Sequence, residues 1–343
     1  MAGDSTLAQV AQGTTELSVG SKGEPVRKMQ EALELAGHKL PRSGADGDFG
    51  QETKRALVAF QKAQKIVPAN GQLDAKTIAA LDTAAASKLK SPEYDKLYAD
   101  KVLNTTIAIG YDEGGAQKQQ IKQTVDGLFS RGYKQFDVKT ATDAELKKVG
   151  IDPTKVDRDA TYFVKSYQYK GKDVQSVVKL ITPDTPNAKQ KFAEAMNSDE
   201  VVMYSGHGRV GSGPDFDDKH SAAGNYVIGK PTVKNYAALG DNDLKKAKLT
   251  NDYQLMFFDG CNTKHYVDDL RAIPKNKDSK NLDIVGANTE LSWSTSSADV
   301  LAMLDGVEGA KSMNEIQADL EKLNKEGPHD KKKHFMTDGF QDN

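Results

Sequence analysis

Two short apolar runs, Val-Val-Met-Tyr at 201–204 and Leu-Met-Phe-Phe at 255–258, constrain the fold of this chain more than any other feature. Runs of this length and composition read as strands buried on both faces of a parallel sheet. Each ends on a glycine-framed polar residue: Ser-Gly-His-Gly closes the first at Gly208, and Asp-Gly-Cys closes the second at Cys261. Open α/β sheets place their reactive groups at the carboxyl ends of such strands. An imidazole, His207, and a thiol, Cys261, are therefore predicted to meet at one end of a sheet.

Cys261 is the single cysteine in 343 residues, so it has no intramolecular disulfide partner. A buried free cysteine is ordinarily an inert packing group. A thiolate beside an imidazole, however, attacks acyl carbon, and the imidazole then protonates the leaving amine. The glycines suit that chemistry, because they let the backbone turn tightly around His207 and let a substrate approach Cys261 without meeting a Cβ. The amides of Gly208 and Cys261 are the candidate oxyanion donors, since a tetrahedral intermediate needs fixed N–H groups aimed at its oxygen.

The order His then Cys, 54 residues apart, with Gly206-His207-Gly208 and Asp259-Gly260-Cys261 as frames, resembles the caspase, gingipain and legumain clan of cysteine peptidases. Papain-like and NlpC/P60-type enzymes carry the cysteine first and do not match. The resemblance implies a caspase-like α/β/α sandwich with a mainly parallel sheet, a His–Cys dyad and no cofactor. It extends to an apolar strand at 281–288 and to Leu291-Ser292-Trp293-Ser294, where caspases carry a Ser-Trp-Arg segment along the substrate groove. Ser292 and Trp293 are carried over as groove residues. Ser294 stands in place of the arginine, which turns the expectation away from cleavage after aspartate.

With 28% charged and 37% hydrophobic residues the chain has a soluble protein's composition, and its length predicts about two domains. A net charge of −2 leaves no electrostatic footprint for nucleic acid or an anionic membrane. No stretch reaches the ~18 apolar residues that cross a bilayer. The first residues show neither the basic nor the apolar region of a secretory signal.

Residues 19–83 carry an internal repeat. Gly-Asp-Phe-Gly-Gln-Glu-Thr-Lys-Arg-Ala-Leu at 47–57 aligns without a gap on Gly-Gln-Leu-Asp-Ala-Lys-Thr-Ile-Ala-Ala-Leu at 71–81. Each copy reads as a glycine turn, an apolar plug, a capping position and a helix. Pro25 opens an earlier helix with Val26, Met29 and Leu33 on one face and Gly37 at its end. A small three-helix bundle is predicted. On Val19 to Val26, Gln30, Asp46 to Gly50, Thr53, Ala56, Phe60 and Gln61 it is similar to the peptidoglycan-binding type 1 domain. That resemblance implies peptidoglycan as a partner and delivery to periplasm, cell wall or exterior. The turn of Asp46, Gly47, Asp48, Phe49 and Gly50 is the predicted contact.

Residues 1–18 read as a flexible start, 84–100 as a linker, 101–325 as the peptidase domain, and 326–343 as a polar tail with a candidate edge strand at His334-Phe335-Met336. Within 101–325, strands at 105–110, 160–169 and 174–181 alternate with helices, which fits a sheet covered on both faces. Substrate preference at such a site depends on one or two pocket side chains. Asp259 beside the cysteine, Asp215, Asp217 and Asp218 after the histidine, and Asp112 and Glu113 after the first strand are carboxylates that suit a basic side chain, so cleavage after Arg or Lys is expected. The polar stretch holding Arg271, Lys275, Lys277 and Lys280 lies where caspases carry their activation loop. Exposed loops are easily nicked, so self-processing is predicted there. The other histidines (His38, His220, His265, His329 and His334) show no metal-ligand spacing, and no catalytic metal is expected. Two further readings stay open: an inactive peptidase fold that binds, and a cell-wall hydrolase acting on peptidoglycan stem peptides.

Overall fold

The computed structural model describes residues 4–86, 91–209, 213–217, 248–272, 274, 276–324 and 334–340. The expectations for Lys275, Asp218, His220 and His329 fall outside these residues. The chain divides into two compact units, Met1–Lys90 and Ser91–Asn343.

In the first unit α1 (Ser5–Ala11), α2 (Glu24–Leu35), α3 (Gln51–Ala63) and α4 (Ala75–Ala86) enclose a core that includes Leu7, Val10, Met29, Phe49, Phe60 and Leu81. Among the described residues the bundle has four helices where three were predicted. The start expected to be flexible is helical from Ser5: the Asp4 carboxylate accepts the Thr6 and Leu7 amides, and Leu7 and Val10 are buried. A helix of seven residues is too short to stand alone and forms here because it completes a core. Gly37, just past α2, adopts the left-handed conformation, and the His38 amide reaches back to the Leu33 carbonyl.

The sequence repeat has a physical basis in two buried glutamines. Gln30 Nε2 donates to the Asp48 carbonyl and Thr53 Oγ1, and its Oε1 accepts the Gly47 amide. Gln61 Nε2 donates to the Gln72 carbonyl and Thr77 Oγ1, and its Oε1 accepts the Gly71 amide. Each glutamine ties a glycine turn to the helix that follows, which explains the threonine at the third position of both helices. Phe49, included in the predicted contact turn, has no exposed surface and is the apolar plug instead. Asp46 directs one carboxylate oxygen inward to Gln30 and to the Asp48 amide. Asp46 is otherwise exposed, and the half-exposed Asp48 pairs with Lys22. Gln61→Ala should destabilise this unit by about 2–4 kcal/mol, since three buried groups lose a partner. Circular dichroism melts of the full chain check this, and Gln30→Ala should match it.

The second unit is built on an eight-stranded mixed sheet in the order β2-β3-β4-β1-β5-β6-β7-β8. Its strands are β1 (Val102–Ile109), β2 (Lys134–Phe136), β3 (Thr161–Tyr169), β4 (Lys172–Ile181), β5 (Val201–Ser205), β6 (Gln254–Asp259), β7 (Leu282–Ala287) and β8 (Phe335–Asp338). The centre, β4-β1-β5-β6-β7, is parallel throughout, while β2, β3 and β8 pair antiparallel at the edges. The sheet is mixed, with a parallel centre and antiparallel edges. Every residue of β5, β6 and β7 is buried, as their continuous apolar character requires.

On one face α8 (Ala188–Ser198) and α9 (Tyr266–Ala272) share a core with Val202, Tyr204, Met256 and Phe258. Against the other, α10 (Ser296–Glu308) packs on β5 and β6 with α6 (Ala116–Ser130) and α11 (Met313–Leu323) beside it. The predicted linker ends early. Residues 91–100 belong to this unit, where α5 (Tyr94–Leu97) buries Tyr94 and Leu97. Strand β2 and α7 (Asp143–Lys148) were not predicted, since three residues with no buried member, or six with Leu146 alone buried, carry no periodic signal.

Candidate active site

The chain order of the strands reverses around β1, whose neighbours are β4 and β5. Crevices at such switch points are where open α/β sheets bind ligands. The residues after β1, β5 and β6 converge there. Strands β5 and β6 pair with Ser205 opposite Asp259, so His207 and Cys261, each two residues further on, emerge side by side. Both line one small pocket with Gly206, Gly260, Leu291 and Trp293. Its volume is about 20 Å3, roughly one water.

The glycine frames are required sterically. A Cβ on Gly208 would stand 2.2 Å from the Cys261 carbonyl oxygen, and one on Gly260 would stand 2.4 Å from the Gly206 carbonyl oxygen. The two loops pack backbone against backbone, at a distance only glycine permits. Among the described residues, the Gly208 and Cys261 amides donate to no other residue. Backbone N–H groups with no acceptor in another described residue are candidate donors to a developing oxyanion.

His207 Nε2 is held by carboxylates, 3.1 Å from Glu113 Oε2 and 3.3 Å from Asp112 Oδ1. Asp112 is itself fixed, because its other oxygen accepts the Ala116 amide at the start of α6. Glu113 pairs with Arg209, which also pairs with Asp215. Burial alone would raise the Glu113 carboxyl, but hydrogen bonding and charge from Arg209, with the charge of His207, bring it down to about 2. The Trp293 ring packs edge-to-face on the imidazole at 5.2 Å. Asp112 and Glu113 thus orient the histidine, a role that sequence spacing across 94 residues does not reveal. Asp112, Glu113 and His207 also offer three potential metal-ligand atoms within 4.8 Å of one another, although Arg209 already supplies a cation to Glu113.

Cys261 Sγ lies 4.0 Å from the Leu291 carbonyl, and burial pushes the thiol pKa above its ordinary value. Beneath the pocket is a buried polar layer. Gln120 donates to Ser205 Oγ, and Ser205 donates to the Asp259 carboxylate. Asp299 on α10 accepts from Asn324. Burial raises both the Asp259 and Asp299 carboxyls, and each also disfavours ionisation of its neighbour. Asp259 lines the pocket, and Asp299 is a residue that no motif signals.

Two sequence expectations need correction. Asp215 is fully buried, its carboxylate pairs with Arg209 and its amide donates to Tyr204 Oη, so it anchors the loop instead of meeting a substrate. In the stretch proposed for self-processing, two of the three described basic candidates are held in place by other groups. Arg271 stands in the last turn of α9 and pairs with Asp338. Lys277 is buried, its Nζ donating to the Asp252 and Asn281 carbonyls, and burial lowers it to about 8. Of the described candidates only Lys280 is exposed. Ser292 hydrogen-bonds to Ser294 at the pocket rim.

Asp299→Asn should stabilise the protein increasingly as pH rises. A carboxyl whose folded pKa is raised keeps its proton while the unfolded chain releases it, so wild-type stability falls above the ordinary aspartate range. The asparagine removes that loss and keeps an acceptor for Asn324. Melts at pH 5 and pH 8 should show a gain of about 2–4 °C at pH 8 and less at pH 5.

Residues 22–81, most of the first unit, match the sequence family described as "Putative peptidoglycan binding domain". A "Probable N-acetylmuramoyl-L-alanine amidase" of Bacillus licheniformis is 39% identical over 77 residues, 22% of this chain and 22% of that protein. The N-acetylmuramoyl-L-alanine amidase CwlL of the same organism is 37% identical over 87 residues, 25% and 24% of the two chains. The type VI secretion system spike protein VgrG3 of Vibrio cholerae is 48% identical over 44 residues, 13% of this chain and 4% of that one. This chain spans less than a quarter of the length of each of these curated relatives. Among the described residues no helix is long and apolar enough to cross a membrane.

Proposed function

We propose that this chain is a cell-wall-targeted thiol hydrolase that cleaves amide bonds in the stem peptides of peptidoglycan. Cys261 is the nucleophile, His207 the general base and acid, and the Gly208 and Cys261 amides the oxyanion donors. The observation that carries the reading is a thiol and an imidazole lining one pocket at the carboxyl ends of two adjacent parallel strands. The thiol proton passes to His207 as sulfur bonds to the carbonyl carbon. The C–N bond then breaks as His207 returns that proton to the amine, and water activated by His207 releases the acyl group.

The peptidoglycan-binding domain supports the wall as the target, and two of the relatives are named as N-acetylmuramoyl-L-alanine amidases. Amide hydrolysis in peptidoglycan puts the binding domain and the thiol site to one use. A second reading, a caspase-like endopeptidase cutting proteins after Arg or Lys, is favoured by the placement of His207 and Cys261 just past the ends of adjacent parallel strands, histidine strand first. Self-processing in that case would concentrate at Lys280.

Digestion of purified peptidoglycan and of a positional-scanning peptide library, each by wild type and Cys261→Ala, tests both. Fragment release lost in the variant is the expected result. Cleavage of the library alone transfers the activity to the second reading, and turnover that survives in the variant sinks the thiol mechanism. Because burial raises the thiol, wild-type turnover should climb between pH 6 and pH 9 without levelling at neutrality.

A further inference from the structure

The Gly208 amide is a useful oxyanion donor only if its direction is fixed, and glycine is the residue least able to fix it. Two buried tyrosine hydroxyls compensate. Tyr204 on β5 and Tyr266 at the start of α9 both have no exposed surface. Tyr204 Oη donates to the His207 carbonyl at 3.0 Å and accepts the Asp215 amide at 2.9 Å. Tyr266 Oη donates to the Gly208 carbonyl at 2.9 Å.

The peptide unit is planar, so the His207 carbonyl and the Gly208 N–H belong to one rigid plate and point in opposite directions. Holding the carbonyl aims the N–H. The Tyr266 bond fixes the next plate, so both peptides flanking the Gly208 Cα are pinned. A third restraint comes from the close approach of Gly208 to the Cys261 carbonyl. Tyr266 follows Cys261 by five residues, which ties the cysteine segment to the histidine loop through one hydroxyl. Burial raises both phenols far above their ordinary value, so they remain protonated donors at any working pH.

We propose that Tyr204 and Tyr266 are positioning residues that aim the Gly208 amide at the oxygen of the tetrahedral intermediate. The inference rests on the thiol-hydrolase reading and adds to it the parts that set the geometry of the oxyanion hole. In the step concerned, the S–C bond forms, the carbonyl π pair moves to oxygen, and the resulting oxyanion is met by the Gly208 and Cys261 N–H groups.

The test compares full-length wild type with Tyr204→Phe and Tyr266→Phe, each of which removes one hydroxyl and little volume. Turnover is measured on peptidoglycan and on a fluorogenic lysyl peptide amide. Inhibition is measured with a lysine-terminated peptide aldehyde, which adds the thiol to give a tetrahedral centre. Alkylation of Cys261 is measured with iodoacetamide, a displacement at saturated carbon that forms no oxyanion. In each variant kcat should fall roughly 10–100-fold with KM within about twofold, and aldehyde affinity should weaken in proportion. The alkylation rate should stay within about twofold of wild type. A variant with unchanged kcat, or with alkylation and kcat reduced together, overturns the inference. If one variant fails to fold by melting analysis, the other decides. A wild-type chain with no Cys261-dependent turnover on either substrate overturns the hydrolase reading itself, and the inference with it.

Discussion

The parallel pairing of β5 with β6, in the register that sets Ser205 opposite Asp259, is the constraint on which the rest of the second unit depends. A shift of one residue would turn every side chain of a strand to the other face. The buried side chains on both faces forbid it, because Val202, Tyr204, Met256 and Phe258 fill the core under α8 and α9 while their neighbours face α10. Strands in a sheet lie about 4.8 Å apart. The same register that satisfies the core therefore delivers an imidazole and a thiol to adjacent positions at the sheet's end.

Beneath that end the protein keeps a costly arrangement. Asp259 and Asp299 are buried carboxyls whose ionisation the surroundings disfavour, held by Ser205, Asn324 and, one step further, Gln120. Buried polar groups of this kind cost stability unless their partners are all present. These groups come from β5, β6, α6, α10 and the cap of α11 and lie directly under the pocket, which fits a site where geometry outweighs stability. Above the layer, Asp112 and Glu113 hold the imidazole, with Arg209 keeping Glu113 ionised.

The first unit solves a different problem with the same economy of parts. A duplicated turn-and-helix is too small to build a large core, and buried glutamine and threonine lock each turn to its helix. In the proposed function, a wall-binding domain linked to a hydrolase would raise the local concentration of substrate without a new contact at the active site. That advantage needs only a span, not a fixed arrangement of the two units.

The strands carrying His207 and Cys261 were legible in the sequence because an unbroken apolar run has few places to go but a sheet buried on both faces. The repeat was legible because glycine turns and threonines recur at fixed spacing. The partners of those residues were not legible, since Glu113 and His207, or Asp259 and Asp299, meet only through folding, and nothing local marks a carboxylate as buried or paired. The same holds for α1, which is helical because a core waits for Leu7 and Val10, and for Lys277, whose charge suggested an exposed loop and whose side chain is buried. By itself the sequence determined the strand pattern, the repeat and the two reactive side chains, through periodicity and glycine frames. Only the tertiary structure decided which groups face them, because burial and charge pairing depend on elements distant in the chain.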